Sequence, residues 1–180
     1  MVFERLVVGE LESNCYVLKS VGIGIIIDPG AEPDKIINAA KGLEIQLILA
    51  THRHYDHIDA TEAIKKATGA QAAIHALDWL DGFDLKIHNR QEIEFGDEQI
   101  IVLHTPGHTP GGCCFLTGQD LFSGDTLFPG GHGNTSFRGG NQQAILKSIK
   151  EKLMVLPDKT RVYPGHGPET TIGQERSLYQ

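Results

Sequence analysis

Residues 45–50 read IQLILA, and the seven residues that follow read THRHYDH. A near-continuous apolar run of this length is the pattern of a strand covered on both faces, so the chain must layer structure on each side of a sheet. The polar stretch at its end packs three histidines and a carboxylate, His52, His54, Asp56 and His57, into six positions. Ile58–Thr68 then reads as a helix with Ala63, Ile64 and Ala67 on one stripe, Asp59 as its cap and Gly69 as its stop. In extended chain alternate residues face the same way, so His52 and His54 point into one pocket. Asp56 and His57 lie past the strand and turn toward a neighbouring point. One loop can therefore feed two metal positions, and imidazole with carboxylate suits zinc or iron.

The remaining pattern places this loop in a layered α/β arrangement. Residues 2–8, 14–20 and 23–28 read as three strands of a meander, and Asp28-Pro29-Gly30 turns the chain out of the third. Pro33 opens a helix that is expected to stop at Gly42. Further strands are expected at 70–74, 93–95, 99–103, 112–116, 121–122 and 161–163, with a short helical turn at 77–80. Residues 81–91 carry no pattern. A helix is expected over 144–156 and another from Ile172. Residues 129–141 hold five glycines without periodicity and read as a long loop. Strands, helix, strand, helix, then strands, helix, strand imply two sheets with helices outside, within one domain spanning 1–180.

Composition narrows the function. A net charge of −7 without a basic cluster argues against nucleic acid as the partner. No apolar run approaches the ~20 residues that cross a bilayer, and the N-terminal stretch, with Glu4, has no signal-peptide core. The expectation is a cytoplasmic protein with no membrane partner, monomeric or homodimeric. Cys15, Cys113 and Cys114 fit small buried apolar residues rather than a disulfide or zinc framework.

Three later loops, each after a strand and each flanked by Gly or Pro, add further donors. His108 sits in TPGHTPG, Asp125 in SGDTLF and His166 in YPGHGPET. Five histidines and two carboxylates make two four-residue sets only if one carboxylate is shared. With Asp125 as the bridge, one set is His52, His54, His108 and Asp125. The other is Asp56, His57, His166 and Asp125.

The HxHxDH element, the His of TPGHT, the Asp of SGDTLF and the His of PGHG together resemble the metallo-β-lactamase fold, in its glyoxalase II branch. The resemblance runs from Asp28 to Arg176 and implies a four-layer αββα sandwich with metals at one edge of the sheets. It implies two divalent metal ions, zinc first, with iron or manganese as alternatives. It places Asp28 behind the ligands as the carboxylate that steadies their loop. The implied reaction is hydrolysis of a small acyl thioester or ester by a metal-bound hydroxide, with Asp56 both a ligand and a proton acceptor or orienter. The glyoxalase II resemblance also implies a C-terminal helical domain that helps hold glutathione, and a chain of this length is expected to lack one. Many relatives carry Lys or Arg before a Thr-Asp-Phe run after the bridging Asp. Here the run is Asn134-Thr135-Ser136-Phe137, with Arg138 displaced.

Two rivals share the scaffold. One is a persulfide dioxygenase-like oxidoreductase with a single iron on His52 or His54, His108 and Asp125. The other is a non-enzymatic metal-dependent sensor or partner. β-Lactamase activity is disfavoured by the histidine at position 57. Substrate contacts are sought at Tyr55, which packs or faces the cleft; at His132, which lines the pocket or stays in solvent; and at Arg138, the cation nearest the site in sequence. His75, His88 and His104 read as structural or surface histidines, Trp79 as core or lid, and Lys147, Lys150 and Lys152 as a solvated helix face.

Overall fold

The structure, a computed structural model, describes residues 1–180. Two six-stranded sheets lie face to face. The first takes its strands in chain order: β1 (Val2–Val8), β2 (Ser13–Ser20), β3 (Ile23–Ile27), β4 (Glu44–Leu49), β5 (Gln71–His75) and β6 (Leu85–Ile87). The first three pair antiparallel, and β3 through β6 pair parallel. Parallel neighbours need crossovers. Helix α1 (Pro33–Ala39) supplies one, and α2 (Tyr55–Ile58) with α3 (Thr61–Thr68) supplies the next.

The second sheet comprises β7 (Glu92–Phe95), β8 (Glu98–His104), β9 (Cys113–Thr117), β10 (Asp120–Gly124), β11 (Arg161–Pro164) and β12 (Thr170–Thr171). It is antiparallel except between β10 and β11. The crossover there is α4 (Gln142–Ser148), continued by a π-helical turn at Ile149–Leu153. A last short helix, α5, spans Ile172–Glu175.

The period-2 alternation of the strands sorts their side chains into three apolar layers. On β2 and β3, Cys15, Val17 and Ile26 face α1 and α3, where Ile36 and Ile64 pack on them. Their neighbours Tyr16, Leu18, Ile25 and Ile27 face the other sheet and meet Val102, Phe115 and Phe122. Beyond the second sheet, Leu121 and Val162 pack against Ile145, Ile149 and Leu153 of the α4 segment. The order of layers is helix, sheet, sheet, helix, as the resemblance implied.

Element boundaries differ from the sequence reading where tertiary contacts intervene. Helix α1 ends at Ala39, and Gly42 serves the turn after it. Asp59 caps nothing. The chain forms the separate turn α2 first, and α3 begins at Thr61 after Ala60, whose N–H donates to the Pro29 carbonyl at 3.0 Å. The patternless 81–91 segment contains β6, a three-residue edge strand too short to show periodicity. Helix α4 starts two residues early because Asn141 accepts a hydrogen bond from the Ala144 N–H, a side-chain cap.

Candidate metal centre

Every residue singled out for the site follows the C-terminal end of a strand. Asp28 follows β3, the 51–57 loop follows β4, His108 follows β8, Asp125 follows β10, and His166 lies just past β11. The first sheet thus delivers His52, His54, Asp56 and His57, and the second delivers His108, Asp125 and His166. They meet at one rim of the sandwich.

The side chains gather in two groups. His52 Nε2 lies 3.1 Å from His54 Nδ1, which lies 2.9 Å from His108 Nε2. In the second group His57 Nε2 and His166 Nε2 are 3.3 Å apart, and Asp56 Oδ2 lies 3.3 Å from the first and 3.2 Å from the second. Asp125 stands between. Its Oδ1 is 3.5 Å from His57 Nε2, and its Oδ2 is 3.4 Å from His108 Nε2 and 3.8 Å from His166 Nε2. The groups also touch through His52, which is within ligand-sharing distance of His57 and Asp125.

Outer contacts settle which ring nitrogens face inward. His108 Nδ1 donates to the Asn134 carbonyl at 2.7 Å, and His166 Nδ1 donates to the Leu11 carbonyl at 3.0 Å. His57 Nδ1 lies 3.0 Å from Asp28 Oδ2. The Thr51 hydroxyl donates to the same carboxylate at 2.7 Å, so its oxygen is left to accept from His52 Nδ1 at 3.0 Å. In each of these four rings Nε2 keeps its lone pair for the interior, the arrangement a metal-ligating histidine needs. Asp125 Oδ1 is buried and has no hydrogen-bond partner. Facing lone pairs and an orphaned buried carboxylate oxygen are unfavourable in a protein alone and are resolved by a cation. The donor set fits divalent metal.

Electrostatics distinguish the groups. Burial, reinforced by the neighbouring histidines, holds His52 and His54 below the ordinary histidine range. Burial also opposes charge on His57, but its bonds to Asp28 and Asp56 prevail and raise it. His166 is raised by its bond to Asp56. Burial works to raise the Asp56 carboxyl, yet bonds from His166, His57 and Ser13 outweigh it and hold the group well below the carboxylate range. Protons therefore compete more strongly with a metal at the second group than at the first.

The centre floors a cavity of about 460 Å³ lined by His54, Asp56, His108, Asp125 and His166, with Leu11, Tyr55 and Phe137 as its apolar wall. Tyr55 faces this cleft. His132 and Arg138 do not line it. His132 bonds within its own loop and to the Gln142 side chain, and the Arg138 carbonyl receives the Arg53 guanidinium. The sequence reading passed over Leu11, Phe137, Thr51, Ser13 and the buried Asp78. Thr51 and Phe137 stand within segments the sequence singles out, but neither side chain carries a ligand signature, and Leu11, Ser13 and Asp78 belong to no motif.

The chain belongs to the metallo-beta-lactamase superfamily, whose pattern matches residues 8–166. Among its relatives are YqgX of Bacillus subtilis, named a probable metallo-hydrolase, and GloC of Haemophilus influenzae, named a hydroxyacylglutathione hydrolase. YqgX is 36% identical over 98% of this chain and 95% of its own length. GloC is 33% identical over 98% and 95%. Two solved structures superpose closely. ETHE1 from Myxococcus xanthus is 30% identical, with a TM-score of 0.92 over 99% of this chain and 83% of that one. The B3 metallo-beta-lactamase BLEG-1 is 34% identical, with a TM-score of 0.90 over 98% and 97%. The relatives agree on a metallo-hydrolase superfamily and differ in activity.

Proposed function

We propose that this protein hydrolyses small acyl thioesters or esters in the manner of glyoxalase II, in the cytoplasm, using two divalent metal ions. The observation that carries the reading is Asp125, whose carboxylate stands between the two histidine groups, with Oδ1 nearest His57 and Oδ2 nearest His108. His52, His54 and His108 would hold one ion and Asp56, His57 and His166 the other, with Asp125 shared. Zinc is the first metal to test, then iron and manganese. Metal ions so held would supply a nucleophilic hydroxide at neutral pH and polarise the scissile carbonyl.

The chain's own residues set the rest. Asp56, whose carboxylate accepts the Ser13 hydroxyl at 2.9 Å, accepts a hydrogen bond from the attacking water and orients it. Leu11, Tyr55 and Phe137 exclude water and receive the acyl chain. No lysine or arginine lines the cavity, which supports a compact substrate without a large anionic leaving group. Three free, buried cysteines support a reducing compartment.

A second reading is an oxidoreductase with one iron held by His52 or His54, His108 and Asp125. The likeness to ETHE1 favours it. A completed second group, Asp56 with His57 and His166, favours hydrolysis. Metal content decides together with assay of one preparation on S-lactoylglutathione, shorter acyl thioesters, a lactone, a β-lactam and a persulfide. Two metals per chain with thioester or ester turnover supports the hydrolase. One iron with oxygen uptake on persulfide supports the rival, and no turnover on any of them sinks both.

A further inference from the structure

Asp78 lies outside both histidine groups, at the end of the single 3-10 turn Ala76–Asp78 that follows β5, and is fully buried. Its Oδ1 accepts the Gly111 N–H at 2.9 Å. Its Oδ2 accepts the Thr109 hydroxyl at 2.5 Å and the Arg53 N–H at 3.2 Å. The Arg53 guanidinium, 3.9 Å away, is its only cationic partner. Arg53 sits between His52 and His54, and Thr109 follows His108. One carboxylate therefore grips the first sheet's ligand loop and the second sheet's ligand loop together. The grip is close: a Cβ on Gly111 would lie 2.6 Å from Asp78 Cβ and Cγ.

We propose that Asp78 is a positioning residue for the metal position made by His52, His54 and His108, holding His54 and His108 at ligand-sharing distance. This rests on the two-metal reading above. Nothing in the Asp56, His57 and His166 group touches Asp78, so its effect is confined to one of the two positions. The charge matters as well as the shape. An asparagine turned either way aims its NH₂ at a backbone N–H, that of Gly111 or that of Arg53, and leaves Arg53 without a counter-charge. Such outer partners typically change metal affinity by about 10–100-fold.

The test loads full-length wild type, Asp78→Asn and Thr109→Val with ¹¹³Cd and with zinc. Cadmium resonances are assigned using His54→Ala and His166→Ala. Wild type should show two resonances and two tight zinc equivalents. Asp78→Asn should keep the resonance missing from His166→Ala, lose or broaden the one missing from His54→Ala, and bind its second zinc about 10–100-fold more weakly. Thr109→Val, which keeps shape and removes one of the bonds, should shift in the same direction by less, and it carries the test if Asp78→Asn does not fold. Loss of both positions alike, loss of the His166-linked position, or two unchanged positions overturns the proposal, since a merely structural role would give no selective loss. A wild type that binds fewer than two ions overturns the two-metal reading and this proposal with it.

Discussion

Asp28 Oδ2 lies 3.0 Å from Nδ1 of His57, 29 residues further along the chain, and Asp28 makes this contact from a left-handed backbone conformation, φ 52°. Aspartate is one of the few residues that tolerates that region. Its carboxylate also receives the Thr51 N–H and hydroxyl, both at 2.7 Å. Asp28→Ala should leave the Thr51 N–H buried without an acceptor and His57 without its orienting partner. We expect a loss of about 1–3 kcal/mol in the metal-free protein by chemical denaturation. Metal affinity should also fall by about 10–100-fold. An unchanged denaturation midpoint would remove this role.

Asp125 faces both groups, so its removal cannot be absorbed by one. Asp125→Ala should lose metal and hydrolysis together, with the fold kept by far-ultraviolet circular dichroism. Retention of two ions in that variant would refute the bridge.

Gly165 precedes His166, and its missing side chain is a requirement of the site. A Cβ there would lie 2.3 Å from Asp125 Oδ1 and 2.7 Å from His57 Cε1. Gly165→Ala should reduce metal content and turnover at least tenfold with the fold retained, a loss equivalent to about 1.4 kcal/mol. Gly131→Ala, where a Cβ meets nothing within 4 Å, should be silent. Equal metal content in the two variants would contradict the packing argument.

His75 stacks on His104 with ring centroids 4.0 Å apart and accepts the Leu77 N–H at 3.2 Å. Burial, then His104, His88 and Lys152, push it down to about 4, with Asp78 opposing. The folded value lies below the unfolded one of about 6.5, so the folded state binds fewer protons. The stabilisation from neutral His75 is therefore present above about pH 6.5 and is lost as pH falls toward 4. His75→Phe should flatten the decline in melting temperature between those values. A parallel decline in both proteins would show that other groups set it.

The sequence made the four layers and the meeting of the candidate donors at one rim legible for different reasons. Alternation on β2 and β3 and the unbroken run of β4 report burial directly. His108, Asp125 and His166 each stand in a Gly/Pro turn just after an apolar strand, so their shared rim could be read without coordinates. What stayed hidden depends on distant backbone. The break between α2 and α3 is drawn by Pro29 and by the contact of Gly30 with the Asp56 carbonyl, where a Cβ would come within 1.6 Å. Phe137 and Leu11 reach the cleft only because their loops fold over it. Asp78 carries no motif, and its importance comes from partners 25 to 33 residues away.

The division of the ligands between the two sheets bears on how the protein assembles. His54 and His108 are 54 residues apart, and His57 and His166 are 109 apart. Such distant partners close late, after loop-closure entropy has been overcome. The 52–57 segment, by contrast, offers four donors to any ion while the chain is still unfolded. Metal present too early would trap that hairpin-sized chelate before the second sheet docks. Refolding in chelator with zinc added last should outpace refolding in zinc. The ion then acts as a latch on a finished sandwich rather than a seed for it.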